Sequence, residues 1–268
     1  KTGIDLGGES GSLWWSENVF YNKQNLSQLA AASFGQTFNI TPLQLINAVS
    51  AVCNGGYLMK PYVVKKVVDS DGNVVMENEP TVVRQVISEK TSKTMCEMLE
   101  KVVGDRNEGT GRNAYVAGYR IAGKTGTSQK VAQEAAENIK EYIVSFIGIA
   151  PADDPKIAVL VLLDTPSPET GIYISGGQMA APTVGKIFAD VLPYLGIEPA
   201  YTDEELTYMD KTVPNLKGMT LEEARAVLNN MNLDMRVIGS GSTVTDQLPH
   251  ANAVVATQSQ IIVYTEGS

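Results

Sequence analysis

The 268-residue chain holds one histidine, two cysteines and no apolar run near the ~18 to 20 residues needed to span a bilayer. His250 is thus the sole candidate for a histidine-based triad, and a multi-histidine metal site is excluded. Cys53 and Cys96 are too few for a disulfide scaffold or a cysteine-ligated zinc site. Positive charge is also scarce. Lys and Arg number 21 against 30 Asp and Glu, and the net charge of −9 offers no general attraction to nucleic acid. What is abundant is hydrophobic residue, 43% of the chain, enough for one large or two modest soluble domains.

The first forty residues are rich in Gly, Ser, Asn and Gln, and only Leu26 to Ser33 suggests a helix. Thr41 then reads as an N-cap with Pro42 at the first helical position. Leu45, Ile46, Val49 and Cys53 form the apolar stripe, and Asn54-Gly55-Gly56 ends it. Val63 to Val68 and Val74 to Met76 flank an Asp-Gly turn and predict a hairpin. Ser88 opens a second helix whose stripe is expected at Met95, Met98, Leu99 and Val102. Strands are expected at Tyr119 to Ala122, Tyr142 to Ile149 and Lys156 to Leu163. Only six residues join the last two, so they should be antiparallel. An apolar helix follows from about Ala181-Pro182 to Leu195.

The acidic stretch from Glu198-Pro199 through Glu205 reads as a linker, giving domains 1–198 and 213–267 joined by 199–212. In the second unit, Thr220-Leu221-Glu222-Glu223 is a capping box, and Leu221, Ala224, Val227, Leu228 and Met231 form the inner face of its helix. Met235 to Ile238, Val244 and Ile261 to Val263 supply short strands. The fold class is therefore α+β.

Gly118 to Thr125 matches G-x-x-x-x-G-K-[ST], the phosphate-binding loop. Its interior would be Tyr, Arg, Ile and Ala, which suit a strand better than a loop hugging phosphates, and the surrounding strands are antiparallel rather than joined by helices. The same residues hold Lys124-Thr125-Gly126, the K-T-G of β-lactamases and penicillin-binding proteins. On a strand, that lysine sets a positive charge beside a substrate carboxylate, and Thr hydroxyls can bond it. Gly126 lets an acyl donor lie close, with the Thr127 N–H aimed at a developing oxyanion. Lys1-Thr2-Gly3 has the same letters without a preceding strand and is read as chance.

Taken in order, Thr2-Gly3-Ile4-Asp5-Leu6, Thr41-Pro42-Leu43-Gln44-Leu45, Asn54-Gly55-Gly56, Lys60-Pro61, Gly109-Thr110-Gly111, Ala122 to Thr127, Phe146-Ile147-Gly148 and Ala180-Ala181-Pro182 resemble class B penicillin-binding proteins. Those are peptidoglycan D,D-transpeptidases of cell division and sporulation. The last unit resembles a PASTA domain. The resemblance implies a partial transpeptidase domain, an antiparallel sheet with packed helices, followed by the PASTA unit. It implies D-Ala-D-Ala stem peptides as substrate and β-lactams as inhibitors, without metal or organic cofactor. Lys124, Thr125, Gly126 and Thr127 become the substrate-binding and oxyanion residues. It also implies a parent at the extracytoplasmic face of a bacterial membrane, in endospore formers, with a glycosyltransferase as a partner.

The family's nucleophile is the serine of S-x-x-K, and no serine here has lysine three residues later. Ser16-Glu17-Asn18 matches S-x-N but stands on the wrong side of Thr2 to Leu6, and is read as a turn. The chain alone is therefore expected to be inactive and to need an upstream transpeptidase segment, which would also cover an open apolar edge from Ile157 to Leu163. The alternative is a non-catalytic scaffold that binds wall precursors or a partner through the PASTA unit. In that unit Asn252 and Gln258 replace the glycines of the PASTA pattern, and Asn tolerates positive φ far better than Gln.

Overall fold

A computed structural model describes residues 1–130, 140–205, 211–255 and 259–267. The chain divides into two units, Lys1–Glu198 and Pro199–Ser268. No helix among the described residues is long and apolar enough to cross a membrane.

Unit 1 is built on a three-stranded antiparallel sheet of β5 (Ala122–Gln129), β6 (Tyr142–Ala150) and β7 (Ile157–Asp164), in that spatial order. The antiparallel β6–β7 pair is as the short connection requires. Strand β5 begins three residues later than the apolar pattern suggests and runs through Lys124-Thr125-Gly126-Thr127. Tyr119 lies outside the ladder, with its side chain in the core and its hydroxyl donating to Ile197 O at 2.9 Å.

Alternation along the strands gives the sheet two faces. One carries Phe146 and Gly148 and packs on α5 (Ala181–Tyr194), whose Val184, Phe188 and Leu192 are fully buried. The ring of Phe146 explains two of the glycine motifs. A Cβ on Gly111 would lie 2.7 Å from Phe146 Cε2, and one on Gly123 would lie 2.9 Å from its Cε1, so both glycines make room for the ring. The other face carries Ala122 and Ile149 and packs on α3 (Pro42–Cys53) and α4 (Glu89–Gly104). Thr41 caps α3 in a full capping box with Gln44.

Cys53 and Cys96 meet in this second core as free, buried thiols, and burial pushes the Cys53 thiol up to about 12. They are inert packing residues. The inner stripe of α4 is Ser92, Cys96, Leu99 and Val103, a rotation away from the Met-based stripe, and Met98 is 59% exposed. The small Ser and Cys face the helix-to-helix contact, where Ser92 donates to Val52 O at 2.6 Å, and the longer Met98 is left outside.

Two antiparallel ribbons flank this core. The first pairs β1 (Tyr57–Lys60) with β4 (Thr81–Gln85). The second pairs β2 (Lys66–Val68) with β3 (Val74–Glu77), a hairpin shorter than its apolar flanks suggest. Residues 1–40 contain α1 (Glu17–Tyr21) and α2 (Leu26–Ser33), neither with a buried residue. Only α2 was legible in the sequence.

Unit 2 has its own core. Helix α6 (Leu221–Asn230) starts at the Thr220–Glu223 capping box and buries Ala224 and Leu228 against β9 (Asp234–Ile238), β10 (Val244–Leu248) and β12 (Gln260–Thr265). β12 lies between the other two, parallel to β9 and antiparallel to β10. Thr202 and Glu205 exchange the two bonds of a capping box, and β8 (Lys211–Thr212) pairs with β11 (Val254–Val255). Asn252 has φ of 68°, the left-handed conformation its place in the PASTA pattern requires. Gln258 lies outside the described residues.

Candidate functional site

The Lys124 to Thr127 run lies on β5, an outer strand of its sheet among the described residues, in register with β6: Lys124 opposite Ile147, Thr125 opposite Phe146, Gly126 opposite Ser145, Thr127 opposite Val144. Alternation sends Lys124 and Gly126 to the face of α3 and α4, and Thr125 and Thr127 to the face of α5. Lys124 and Thr127 are exposed, and Thr125 and Gly126 are half-buried. This is a strand whose backbone takes part in a ladder. Lys124 and Thr125 lie inside β5, which continues to Gln129, where a phosphate loop would already have turned into its helix, and the phosphate-loop reading falls with that.

Lys124 Nζ donates to Thr125 O at 2.8 Å, and no carboxylate among the described residues pairs with it. An ammonium has three donors, so capacity for an anion remains. The segment Ser175-Gly176-Gly177 crosses the strand directly. Gly176 N donates to Thr127 Oγ1 at 3.4 Å, which occupies a hydroxyl lone pair and leaves the Thr127 O–H proton able to donate outward. A Cβ on Gly176 would run into Ser145 O and lie 2.7 Å from Gly126 O, so only glycine fits the crossing. Asn113 holds the segment from the other side, with Nδ2 donating to Gly177 O at 2.8 Å. Beyond the crossing, a cleft of about 530 Å³ opens beside Thr127. Together these place a cation and a hydroxyl within four consecutive residues of a strand that is outermost among the described residues, a set suited to an extended ligand with a terminal carboxylate.

The other sequence candidates fall elsewhere. Lys1-Thr2-Gly3 is not in a strand. The Glu9 carboxylate accepts from Thr2 N, Thr2 Oγ1 and Gly3 N at 2.5, 2.7 and 3.2 Å. Ser16 stands at the N-cap of α1 without a capping bond, so Ser16-Glu17-Asn18 starts a short helix rather than a turn. His250 is an exposed loop residue in unit 2.

Two residues carry roles that motif reading did not supply. Ser145, opposite Gly126, fills the space beside that glycine. Asp5 accepts from Val63 N at 2.9 Å, Val64 N at 3.0 Å and Asn78 Nδ2 at 3.2 Å, so it ties the N-terminal segment to the chain just after Lys60-Pro61. A carboxylate so far from its partners in sequence announces nothing until the chain is folded.

The Val63 amide holds the Asp5 carboxyl below its ordinary value, outweighing the opposing effect of desolvation, and the Val64 amide adds to the lowering. A depressed pKa means the stabilisation is present above the unfolded-state value and lost as pH falls through the folded one. An Asp5→Asn variant should therefore melt below the parent at pH 6, with the gap closing as pH drops below about 4. A gap independent of pH would show that the charge is immaterial.

Residues 1–191 match the penicillin binding protein transpeptidase domain, and residues 211–267 match the PASTA domain. Stage V sporulation protein D of Bacillus subtilis is 45% identical over 98% of this chain and 40% of that protein. Peptidoglycan D,D-transpeptidase FtsI of Escherichia coli is 33% identical over 78% of the chain and 32% of that protein. The chain thus spans less than half the length of these relatives. Among solved structures, penicillin binding protein 3 of Mycobacterium tuberculosis, complexed with aztreonam, has a TM-score of 0.63 at 30% identity, covering 75% of this chain and 44% of that one. Penicillin binding protein 2X of Streptococcus thermophilus shares the fold over 99% of this chain and 39% of that one, with a TM-score of 0.57 at 20% identity. With its antiparallel sheet, its packed helices and the unit that follows, the chain belongs to the penicillin-binding protein transpeptidase family and carries a PASTA domain.

Proposed function

We propose that residues 1–198 supply the K-T-G side of a peptidoglycan D,D-transpeptidase site acting in division or sporulation, with 199–212 as the link to a PASTA unit over 213–267. Lys124, Thr125 and Thr127 bind the terminal carboxylate of a D-Ala-D-Ala stem peptide, or of a β-lactam. Gly126 admits the acyl group, and the Thr127 N–H faces the oxyanion. The observation that carries this reading is the K-T-G run on an outer strand, with an exposed Lys124 ammonium that pairs with no carboxylate among the described residues and an exposed Thr127 hydroxyl three residues on.

Acyl transfer by this family needs an activated serine, and no serine in the chain has lysine three residues on. The chain alone therefore forms no penicilloyl adduct and cross-links nothing. The serine comes from an upstream transpeptidase segment, which also covers the outer strand β7, in an assembly held at the extracytoplasmic membrane face. Fluorescent penicillin tests this. The chain alone should stay unlabelled, and adding the serine-bearing segment in trans should recover label on that segment. Label on this chain by itself would refute the reading.

A further inference from the structure

The strap Ser175-Gly176-Gly177 that crosses β5 has no side chain at Gly176 or Gly177 to hold it down, and both residues are buried. It runs through the π-turn Gly176–Ala180 into α5. At that junction the Ala181 N–H is taken by Gly176 O, and Pro182 has no N–H to give. The start of α5 therefore offers Gly177 O no donor from either position, and a buried carbonyl of this kind needs one from elsewhere. Asn113 supplies it. Its Nδ2 donates to Gly177 O at 2.8 Å and lies 3.4 Å from Gln178 Oε1, so one amide engages two successive residues of the strap and turn.

Asn113 stands on a fixed base. It belongs to the 3-10 turn Arg112–Ala114, whose Ala114 is fully buried. Gly111 N, just before that turn, donates to Val102 O of α4 at 2.9 Å. On the other side α5 approaches so closely that a Cβ on Gly185 would lie 3.1 Å from Ala114 Cα. A short side chain on a turn pinned between two helices can set the height of the strap above β5. That height matters at Thr127. The bond from Gly176 N to Thr127 Oγ1 is 3.4 Å, near the long limit for a hydrogen bond, so a lift of about 0.3 Å ends it.

We infer that Asn113 is a positioning residue for the carboxylate site. By holding Gly177 O it keeps the Gly176 N–H on Thr127 Oγ1, and that bond turns the Thr127 hydroxyl proton toward the ligand. The inference rests on β5 being the carboxylate-binding strand.

Titration of the full chain with D-Ala-D-Ala, followed by amide shifts, tests it. Asn113→Leu, close in volume but without a donor, should weaken binding about 5-fold, the worth of one net hydrogen bond. Asn113→Gln keeps an amide N–H and should recover most of that loss. Asn113 is exposed, so the fold survives either change. The readout specific to positioning is a double-mutant cycle with Thr127→Val. Once the hydroxyl is gone, Asn113→Leu should weaken binding no further. Parent affinity in Asn113→Leu, no recovery in Asn113→Gln, or the same 5-fold loss in the Thr127→Val background would overturn the inference while the strand reading stands. If the parent chain does not bind D-Ala-D-Ala, or Lys124→Ala binds it as well as the parent does, the strand reading fails and takes the inference with it.

Discussion

Replacing Lys124 by alanine should slow penicillin acylation about 100-fold in the mixture of this chain with its serine-bearing segment, the usual scale for losing one charge-assisted donor at a reacting group. The melt of the chain itself should move little. Lys124 is exposed, its one bond goes to the carbonyl of the next residue, and a surface truncation of that kind stays within about 0.5 kcal/mol. Activity lost with stability kept separates a ligand contact from a structural one. If Lys124→Ala acylates at the parent rate, the ammonium does not hold the carboxylate, however well β5 is placed.

Gly176→Ala should do the opposite and damage both. The new methyl would meet Ser145 O and Gly126 O, backbone atoms of the β5–β6 ladder that cannot swing aside as a side chain could. The Ser175 to Gly177 segment must lift instead, at a cost of about 2 to 3 kcal/mol. Lifting it also removes the Gly176 N–H from Thr127 Oγ1, so the hydroxyl is no longer oriented outward. Gly7→Ala is the control, because nothing lies within 4 Å of its would-be Cβ. Thermal unfolding of the two variants should therefore differ by several degrees, with Gly7→Ala at the parent value. Equal melts would mean that the crossing is not a tight contact.

The sequence was most readable where one local rule decides the outcome. Thr41 with Gln44, and Thr220 with Glu223, declare helix starts by spacing alone, and both boxes are present. The six-residue connection after β6 forces an antiparallel return, as found. The K-T-G chemistry needs an extended backbone, and Lys124 to Thr127 is indeed strand, though the bulky run from Tyr119 that suggests its position falls mostly before the ladder. What the letters could not show depends on partners distant in the chain. The inner stripe of α4 is chosen by its neighbour α3, which takes Ser92 and Cys96 and leaves Met98 in solvent. The clamp at Asp5 joins residues more than fifty apart. Gly111 and Gly123 read as family letters until the Phe146 ring gives each a reason, and nothing in the letters singles out Gly176 until the Ser145 carbonyl is seen against it. Thr202–Glu205 and Lys211–Thr212 obey capping and pairing rules too short to register as pattern.

The claim on which the rest depends is that a carboxylate-ended peptide binds this chain on β5. Amide shift mapping of the labelled chain with D-Ala-D-Ala tests it without needing a nucleophile. The account predicts that the largest shifts fall on Lys124 to Thr127 and on Gly176. Shifts concentrated on residues 213–267 would contradict it and would make the PASTA unit, not the K-T-G strand, the part of this chain that meets the wall precursor.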